Sequence, residues 1–227
     1  MAYIHAIYDF DIENDFGQGP TTTVFWNYCS FHCTGCWNTD TWDRKDDLYI
    51  DNDELVSRVI RALDLYGFDK HLSLLGGDPL IHENIEDTLY FLKEIRKQKP
   101  NLKIGVWSGF KFDFLTKHPD KYPLQIEALN LIDVLIDGQF VIKRKVKNRR
   151  YGSWNQRVIL TKESLKLNKI VLEPAYASEN GEKFTTKNID GNIIFDKWLP
   201  VHNSWLLSKE EIEQDMIDTM KTKETQS

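Results

Sequence analysis

Three cysteines stand in the run Cys29-Ser30-Phe31-His32-Cys33-Thr34-Gly35-Cys36, and the sequence holds no others. Their spacing is C-x3-C-x2-C, and three thiols in one short loop are better suited to chemistry than to packing. A 4Fe-4S cube normally takes four thiolates. Three leave one iron with an open position, which an exogenous chelating ligand can fill. The amine and carboxylate of S-adenosylmethionine suit that position. A low-potential cluster could then pass one electron into its sulfonium and release a 5′-deoxyadenosyl radical. The cofactor carries such chemistry, while the protein sets orientation, access and potential. Gly35 fits a loop whose backbone must crowd a cluster, because it has no Cβ. Two other readings of the same residues stand beside this one. One is a structural zinc site completed by His32 or a distant histidine, although zinc ligands usually come as two paired sets. The other is three buried thiols acting as small core residues.

The elements around the loop give it a setting. Thr21 to Trp26 is rich in β-branched and aromatic residues and predicts a strand running straight into the cysteines. Asp51 with Glu54 resembles a capping box, and Leu55, Val59 and Leu63 continue with helical spacing. His71 to Leu75 reads as a buried strand stopped by Gly76-Gly77. A second amphipathic helix carries Ile85, Leu89 and Leu92 and ends near Lys99-Pro100. Lys103 to Trp107 and Val134 to Ile136 read as further strands, separated by a helical stretch interrupted at Pro119 and Pro123. Strands alternating with helices imply βαβ units and a parallel sheet. In such folds ligands bind at the carboxyl edge. The cysteines, Gly76-Gly77-Asp78, Ser108-Gly109 and Asp137-Gly138 would all line that rim. Alone, Gly76-Gly77-Asp78-Pro79 reads as an ordinary turn; its place one βα unit after a cysteine triplet sets it apart.

Composition bounds the class. The chain has 227 residues, 41% hydrophobic and 28% charged, a globular balance with room for one domain and an appendage. A formal net charge of −6 argues against nucleic acid as the main partner. The first residues carry Asp9, Asp11, Glu13 and Asp15 without a basic head and apolar run, which argues against a secretory signal. No stretch approaches the roughly 18 apolar residues that cross a bilayer. An odd cysteine count argues against a disulfide framework. The expected location is the cytoplasm, with no membrane partner.

Five runs then resemble one family in order. They are Cys29 to Trp42 with Trp37-Asn38 and Thr41-Trp42; Leu74 to Leu80 with Gly76-Gly77-Asp78-Pro79; Val106-Trp107-Ser108-Gly109-Phe110; Asp133 to Phe140 with Asp137-Gly138-Gln139-Phe140; and Gly152 to Val158. The first two are similar to the radical S-adenosylmethionine superfamily at large. The last three are similar to the activating proteins of anaerobic ribonucleoside-triphosphate reductases. The resemblance implies an α/β fold, a partial (βα) barrel, with Cys29, Cys33 and Cys36 as ligands of a 4Fe-4S cluster. It implies S-adenosyl-L-methionine contacts from Gly35, Cys36 and Trp37, and from Gly77 with Gly76 and Asp78 beside it. The implied reaction removes hydrogen from a glycine Cα of the reductase's large subunit, leaving a glycyl radical. No acid–base residue is required, and the implied reductant is a flavodoxin- or ferredoxin-type electron donor.

The sequence departs from the family pattern in places. Gly17-Gln18-Gly19-Pro20-Thr21 stands where the family carries Gly-Pro-Gly-x-Arg, so the arginine is missing at Thr21. Tyr151 and Trp154 replace an arginine and a serine around Gly152-Ser153. The expected division is an activase domain over 1–167 and an extension over 168–227. In the extension Asn180-Gly181 and Asp190-Gly191 read as hairpin turns, and Ser208 with Glu211 opens a terminal helix bearing Met216 and Met220. The basic run Lys143, Arg144, Lys145, Lys147, Arg149 and Arg150 reads by default as a solvated loop, with docking of an acidic partner as the sharper reading. Trp37 is placed to shield the cluster, and His32 to flank it or hydrogen-bond a sulfur.

Overall fold

A computed structural model describes residues 1–12, 19–145 and 151–173, together with the backbone of strands at 185–189 and 192–197. Asn180-Gly181, Asp190-Gly191, the Ser208 helix with its methionines, Gly17-Gln18, and Lys147 to Arg150 lie outside the described residues.

The expected strands form as β2 (Thr21–Trp26), β4 (His71–Gly76), β5 (Ile104–Ser108) and β6 (Val134–Asp137), each parallel to the next. The fold is mixed α/β, because only these central strands are parallel. β1 (Ala2–Asp11), unforeseen in the sequence, lies antiparallel to β2 and carries the short β3 (Tyr49–Ile50) on its outer side. β7 (Arg157–Leu160) returns antiparallel to β6, followed by β8 (Val171–Leu172). β9 (Thr185–Ile189) and β10 (Asn192–Lys197) pair antiparallel beyond it, giving the order β3-β1-β2-β4-β5-β6-β7-β8-β10-β9.

The connecting helices follow the sequence pattern. α1 (Asn52–Asp64) begins where the Asp51 carboxylate accepts the N–H groups of Asp53 at 2.8 Å and Glu54 at 3.3 Å. That contact satisfies donors which the first helical turn leaves without partners. α2 (Ile85–Gln98) stops before Pro100. The interrupted stretch splits into α3 (Phe112–Lys117) and α4 (Pro123–Leu131), with Pro123 in the first turn, where its missing N–H costs nothing. α5 (Thr161–Leu167) ends at Asn168 in the left-handed conformation.

Strand periodicity divides the side chains between the faces of the sheet. Val24, Trp26, Leu72, Leu74, Ile104, Val106 and Leu135 join Leu55, Val59, Leu89, Leu92 and Leu129 of the helices in the main core. Val134, Ile136 and Val158 form a separate cluster with Tyr151, against which Trp107 and Trp154 pack. With helices anchored on one face, the parallel strands point their carboxyl ends at one edge. No helix among the described residues is long and apolar enough to cross a membrane.

Candidate functional site

β2 hands the chain to the cysteine loop at Asn27. Tyr28 adopts φ +79° and His32 φ +47°, so the backbone doubles back rather than extending. The returning segment is caught by hydrogen bonds from Tyr28 N–H to the Thr41 carbonyl at 2.7 Å and from Cys29 N–H to that of Trp42 at 3.2 Å. Cys36 N–H donates to the Cys33 carbonyl at 3.0 Å, closing the turn that holds Gly35 at φ +78°. A Cβ at Gly35 would lie 2.8 Å from Ile142 Cδ1, so the glycine also admits the segment that follows β6.

All three thiols are free and half-buried. Burial, reinforced by the Asp78 carboxylate, pushes the Cys29 thiol up to about 12; burial pushes Cys33 up to about 11. Backbone N–H groups work the other way, from Phe31 and His32 toward Cys29 and from Phe140 toward Cys33. Asn38 N–H donates to Cys36 Sγ at 3.4 Å. Such amides stabilise a metal-bound thiolate and tune the potential of what it binds. Cys29 and Cys33, raised this far, hold their protons at neutral pH, so a metal has to displace those protons as it binds.

Three free thiols on one loop, with N–H groups aimed at their sulfurs, fit a 4Fe-4S cluster. A zinc site gathers four donors about 2.0–2.3 Å from one point. A cube instead takes each sulfur on a separate iron. The His32 ring is exposed and stacks on Trp42 with centroids 4.9 Å apart, so it is the residue's N–H that addresses a sulfur.

The second loop, after β4, is locked onto the first. Gly77 N–H donates to the Trp26 carbonyl at 2.7 Å and Asp78 N–H to that of Tyr28 at 3.1 Å. The backbones approach so closely that a Cβ at Gly77 would collide with the Tyr28 carbonyl. Asn84, only 3% exposed, staples both loops: its amide donates to the carbonyls of Asn27 (3.2 Å), Tyr28 (3.2 Å) and Asp78 (2.9 Å). Sequence reasoning missed this residue, because an Asn just before a helix reads as a cap, and here its side chain caps nothing.

Asp78 is 2% exposed, and its carboxylate is used inside the protein. It accepts Leu80 N–H at 2.8 Å, Gly109 N–H at 2.6 Å and the Ser108 hydroxyl at 2.9 Å, which ties the loop after β4 to the loop after β5. Burial raises its pKa to about 6 in spite of these donors. Asp78 therefore holds the rim rather than presenting charge at its surface. Asp78→Ala strands those donors and is expected to cost on the order of 3 kcal/mol. Denaturant unfolding checks it through a lowered midpoint with unchanged slope.

The third loop comes from β6. Gln139 Oε1 lies 4.0 Å from Cys33 Sγ, and Gln139 is fixed through its carbonyl, which accepts the Asn155 amide at 2.7 Å. Gln156 donates to the Gly138 carbonyl at 2.9 Å and accepts Gly152 N–H at 2.9 Å and Ser153 N–H at 3.1 Å. The Asp137–Phe140 and Gly152–Val158 runs are thus halves of one interlocked structure beside the cysteines. At the missing arginine, Thr21 is fully buried and shares a 2.9 Å hydrogen bond with the Thr23 hydroxyl.

Cys29, Cys33, Cys36, Gly35, Gly76, Gly77 and Asp78 are brought together along this rim. Trp37 is not: its side chain stands out in solvent, 74% exposed, with Lys145 Nζ 5.3 Å from the ring centroid. It does not shield the thiols.

Comparison with known proteins agrees with this anatomy. The family described as "4Fe-4S single cluster domain" matches residues 16–159. The anaerobic ribonucleoside-triphosphate reductase-activating protein of Salmonella typhi is 36% identical over 138 residues, covering 60% of this chain and 84% of that protein. The protein of the same name from Escherichia coli K12 is 35% identical over 156 residues, 68% of this chain and 96% of its own. That of Enterobacteria phage T4 is 32% identical over 155 residues, 67% and 90% respectively. With cysteine loop, glycine turn and interlocked third loop all inside the matched span, the chain belongs to the family of anaerobic ribonucleoside-triphosphate reductase-activating proteins, built on a 4Fe-4S single cluster domain.

Proposed function

We propose that this chain activates an anaerobic ribonucleoside-triphosphate reductase by radical S-adenosylmethionine chemistry. Cys29, Cys33 and Cys36 would hold the 4Fe-4S cluster. Gly35, Cys36, the backbone of Trp37, Gly76 and Gly77 would meet S-adenosylmethionine, with Asp78 holding the turn beside them, and the sheet would serve as the partial barrel around it. When bound, the pair would supply reductive cleavage of the sulfonium to a 5′-deoxyadenosyl radical that takes hydrogen from a glycine Cα of the reductase.

The observation that carries this reading is the seam between the first two loops. The cysteine loop and the Gly76-Gly77 turn share backbone hydrogen bonds and the Asn84 staple. A ligand chelated at an open corner of a cluster needs peptide groups beside that corner to receive its amino acid end, and a glycine turn exposes them. Phe31 packs edge-on to Phe110 with centroids 5.1 Å apart, which backs the loop with apolar rings and limits water. The chain supplies position and a shielded setting, and no side chain of the rim has to move a proton.

The test is anaerobic incubation of the iron-loaded protein with S-adenosylmethionine, dithionite and the reductase. The expected result is 5′-deoxyadenosine together with a glycyl radical signal by electron paramagnetic resonance on the reductase. Deoxyadenosine without that signal would refute the substrate, and neither product would refute the reaction.

A further inference from the structure

Beside Cys36 the surface carries three features that the cluster loop does not need for holding iron. Trp37 places a large aromatic ring in water. Ile142, exposed at 44%, is seated where Gly35 has no side chain, so the turn Ile142–Arg144 rests directly on the loop between Cys33 and Cys36. Lys143 and Lys145 are exposed on that turn, and Lys145 lies over the Trp37 ring. The turn is not loose: Trp154 N–H donates to the Arg144 carbonyl at 3.0 Å, and Val141 N–H to the Ser153 hydroxyl at 3.1 Å. The family's interlocked loops therefore present this patch in a fixed place.

An exposed Trp flanked by an aliphatic side chain and cations has the composition of a binding hot spot. Its charge is the reverse of the whole molecule, whose formal net charge is −6. We propose that Trp37, Ile142, Lys143 and Lys145 form the docking face for a small acidic protein that carries a low-potential one-electron centre. The proposal rests on the function proposed above. The Gly76-Gly77 side of the cysteine loop is taken by the methionine end of the ligand in that reading, and the reductase glycine must reach the same side. The solvent-facing side, next to Cys36, is left for the electron. One electron leaves the donor, which is oxidised by one unit, and enters the cluster, which is reduced by one unit; no proton or leaving group moves. Redox encounters of this kind use small faces steered by charge and weakened by salt.

The test uses the iron-loaded protein, Lys143→Glu/Lys145→Glu, and flavodoxin as the acidic probe. Calorimetric titration with oxidised flavodoxin at low ionic strength is expected to show at least tenfold weaker binding by the double variant, with a shallower salt dependence. Deoxyadenosine formation driven by reduced flavodoxin is expected to lose a similar factor in kcat/KM for the donor, while the rate driven by dithionite and the visible spectrum stay the same. Equal affinity and salt slope would overturn the proposal. So would an equal loss with dithionite, which would put the lysines in the radical machinery, or a selective loss of affinity for the reductase. If dithionite drives no cleavage even in the unsubstituted protein, the proposed function fails, and the titration still reads the docking face independently.

Discussion

Cys33→Ala is expected to leave a protein that folds but takes up less than a tenth of the iron and lacks broad visible absorption after anaerobic reconstitution. Deoxyadenosine formation should fall by about a thousandfold or more, equivalent to at least about 4 kcal/mol of lost catalysis. The reasoning is one of ligand number. Three thiolates are the whole side-chain donor set that the cysteine loop offers, and a cube already lacking one protein ligand cannot lose a second and remain anchored. The fold should hardly notice. The Cys33 thiol is half-buried and makes only weak sulfur hydrogen bonds, to Gln139 at 4.0 Å and from the Phe140 N–H, so the stability loss should stay near 1 kcal/mol. Asp78→Ala makes the informative contrast, since it lowers the unfolding midpoint while keeping every thiol. Iron analysis beside denaturant unfolding separates the two roles. Cys33→Ala protein that kept its iron and colour would remove Cys33 from the ligand set.

Most of the rim was legible because its signals are local. A C-x3-C-x2-C loop, a Gly-Gly turn and β-branched runs each declare themselves within a few residues, and strands alternating with helices of ordinary length determine which ends share an edge. β1 was missed because its burial is concentrated at Ala2 and Ile4, while Tyr8 and Phe10 lie on the surface, so half the strand lacks the alternation that marks a buried face. The antiparallel flank beside the expected parallel strands carries no sequence signal for a related reason: β7 and β8 are too short for periodicity to reveal. Asn84, Gln156 and Arg157 were illegible as positioning residues because each acts on groups distant in the chain, and a polar side chain carries no mark of its partner. Trp37 failed in the opposite way. Its place beside Cys36 suggested cover for the cluster, but neighbours in sequence on a tight loop can face opposite sides.

Arg157→Met is expected to give the largest loss of stability, about 3–5 kcal/mol. Arg157 Nε donates to Asp137 Oδ1 at 2.9 Å, and its Nη2 pairs with the other Asp137 oxygen and with Asp113 Oδ1, the latter at 2.6 Å. Asp137 has no exposed surface, and its Oδ2 also accepts Phe112 N–H at 2.9 Å, so the fork joins the ends of β6 and β7 to the start of α3. Burial alone would lower the Arg157 pKa, but the Asp137 and Asp113 carboxylates outweigh it and hold the guanidinium charged. Removing the cation leaves the Asp137 carboxylate buried without its partner, and a broken buried pair costs that 3–5 kcal/mol because the remaining charge cannot be rehydrated. Asp113, with its side chain 42% exposed, adds less, since water screens its pair. Arg157→Lys should recover only part of the loss, because an ammonium cannot span both Asp137 oxygens as the planar fork does. The acid limb adds a second readout. Burial pushes the Asp113 carboxyl up, but Arg157 overrides it and holds the group below the usual carboxylate range. Its stabilising share is therefore present above the unfolded value of about 3.9 and is lost as pH falls through the depressed folded value. In Arg157→Met burial is opposed only by the smaller pull of the Asp113 N–H and Lys111, so this share should shrink and stability should fall less steeply on acidification. Unfolding midpoints of both variants between pH 7 and pH 3 measure this. If Arg157→Met matched the unsubstituted protein at pH 7, the pair would contribute nothing, and the joint between β6, β7 and α3 would have to be held by packing alone.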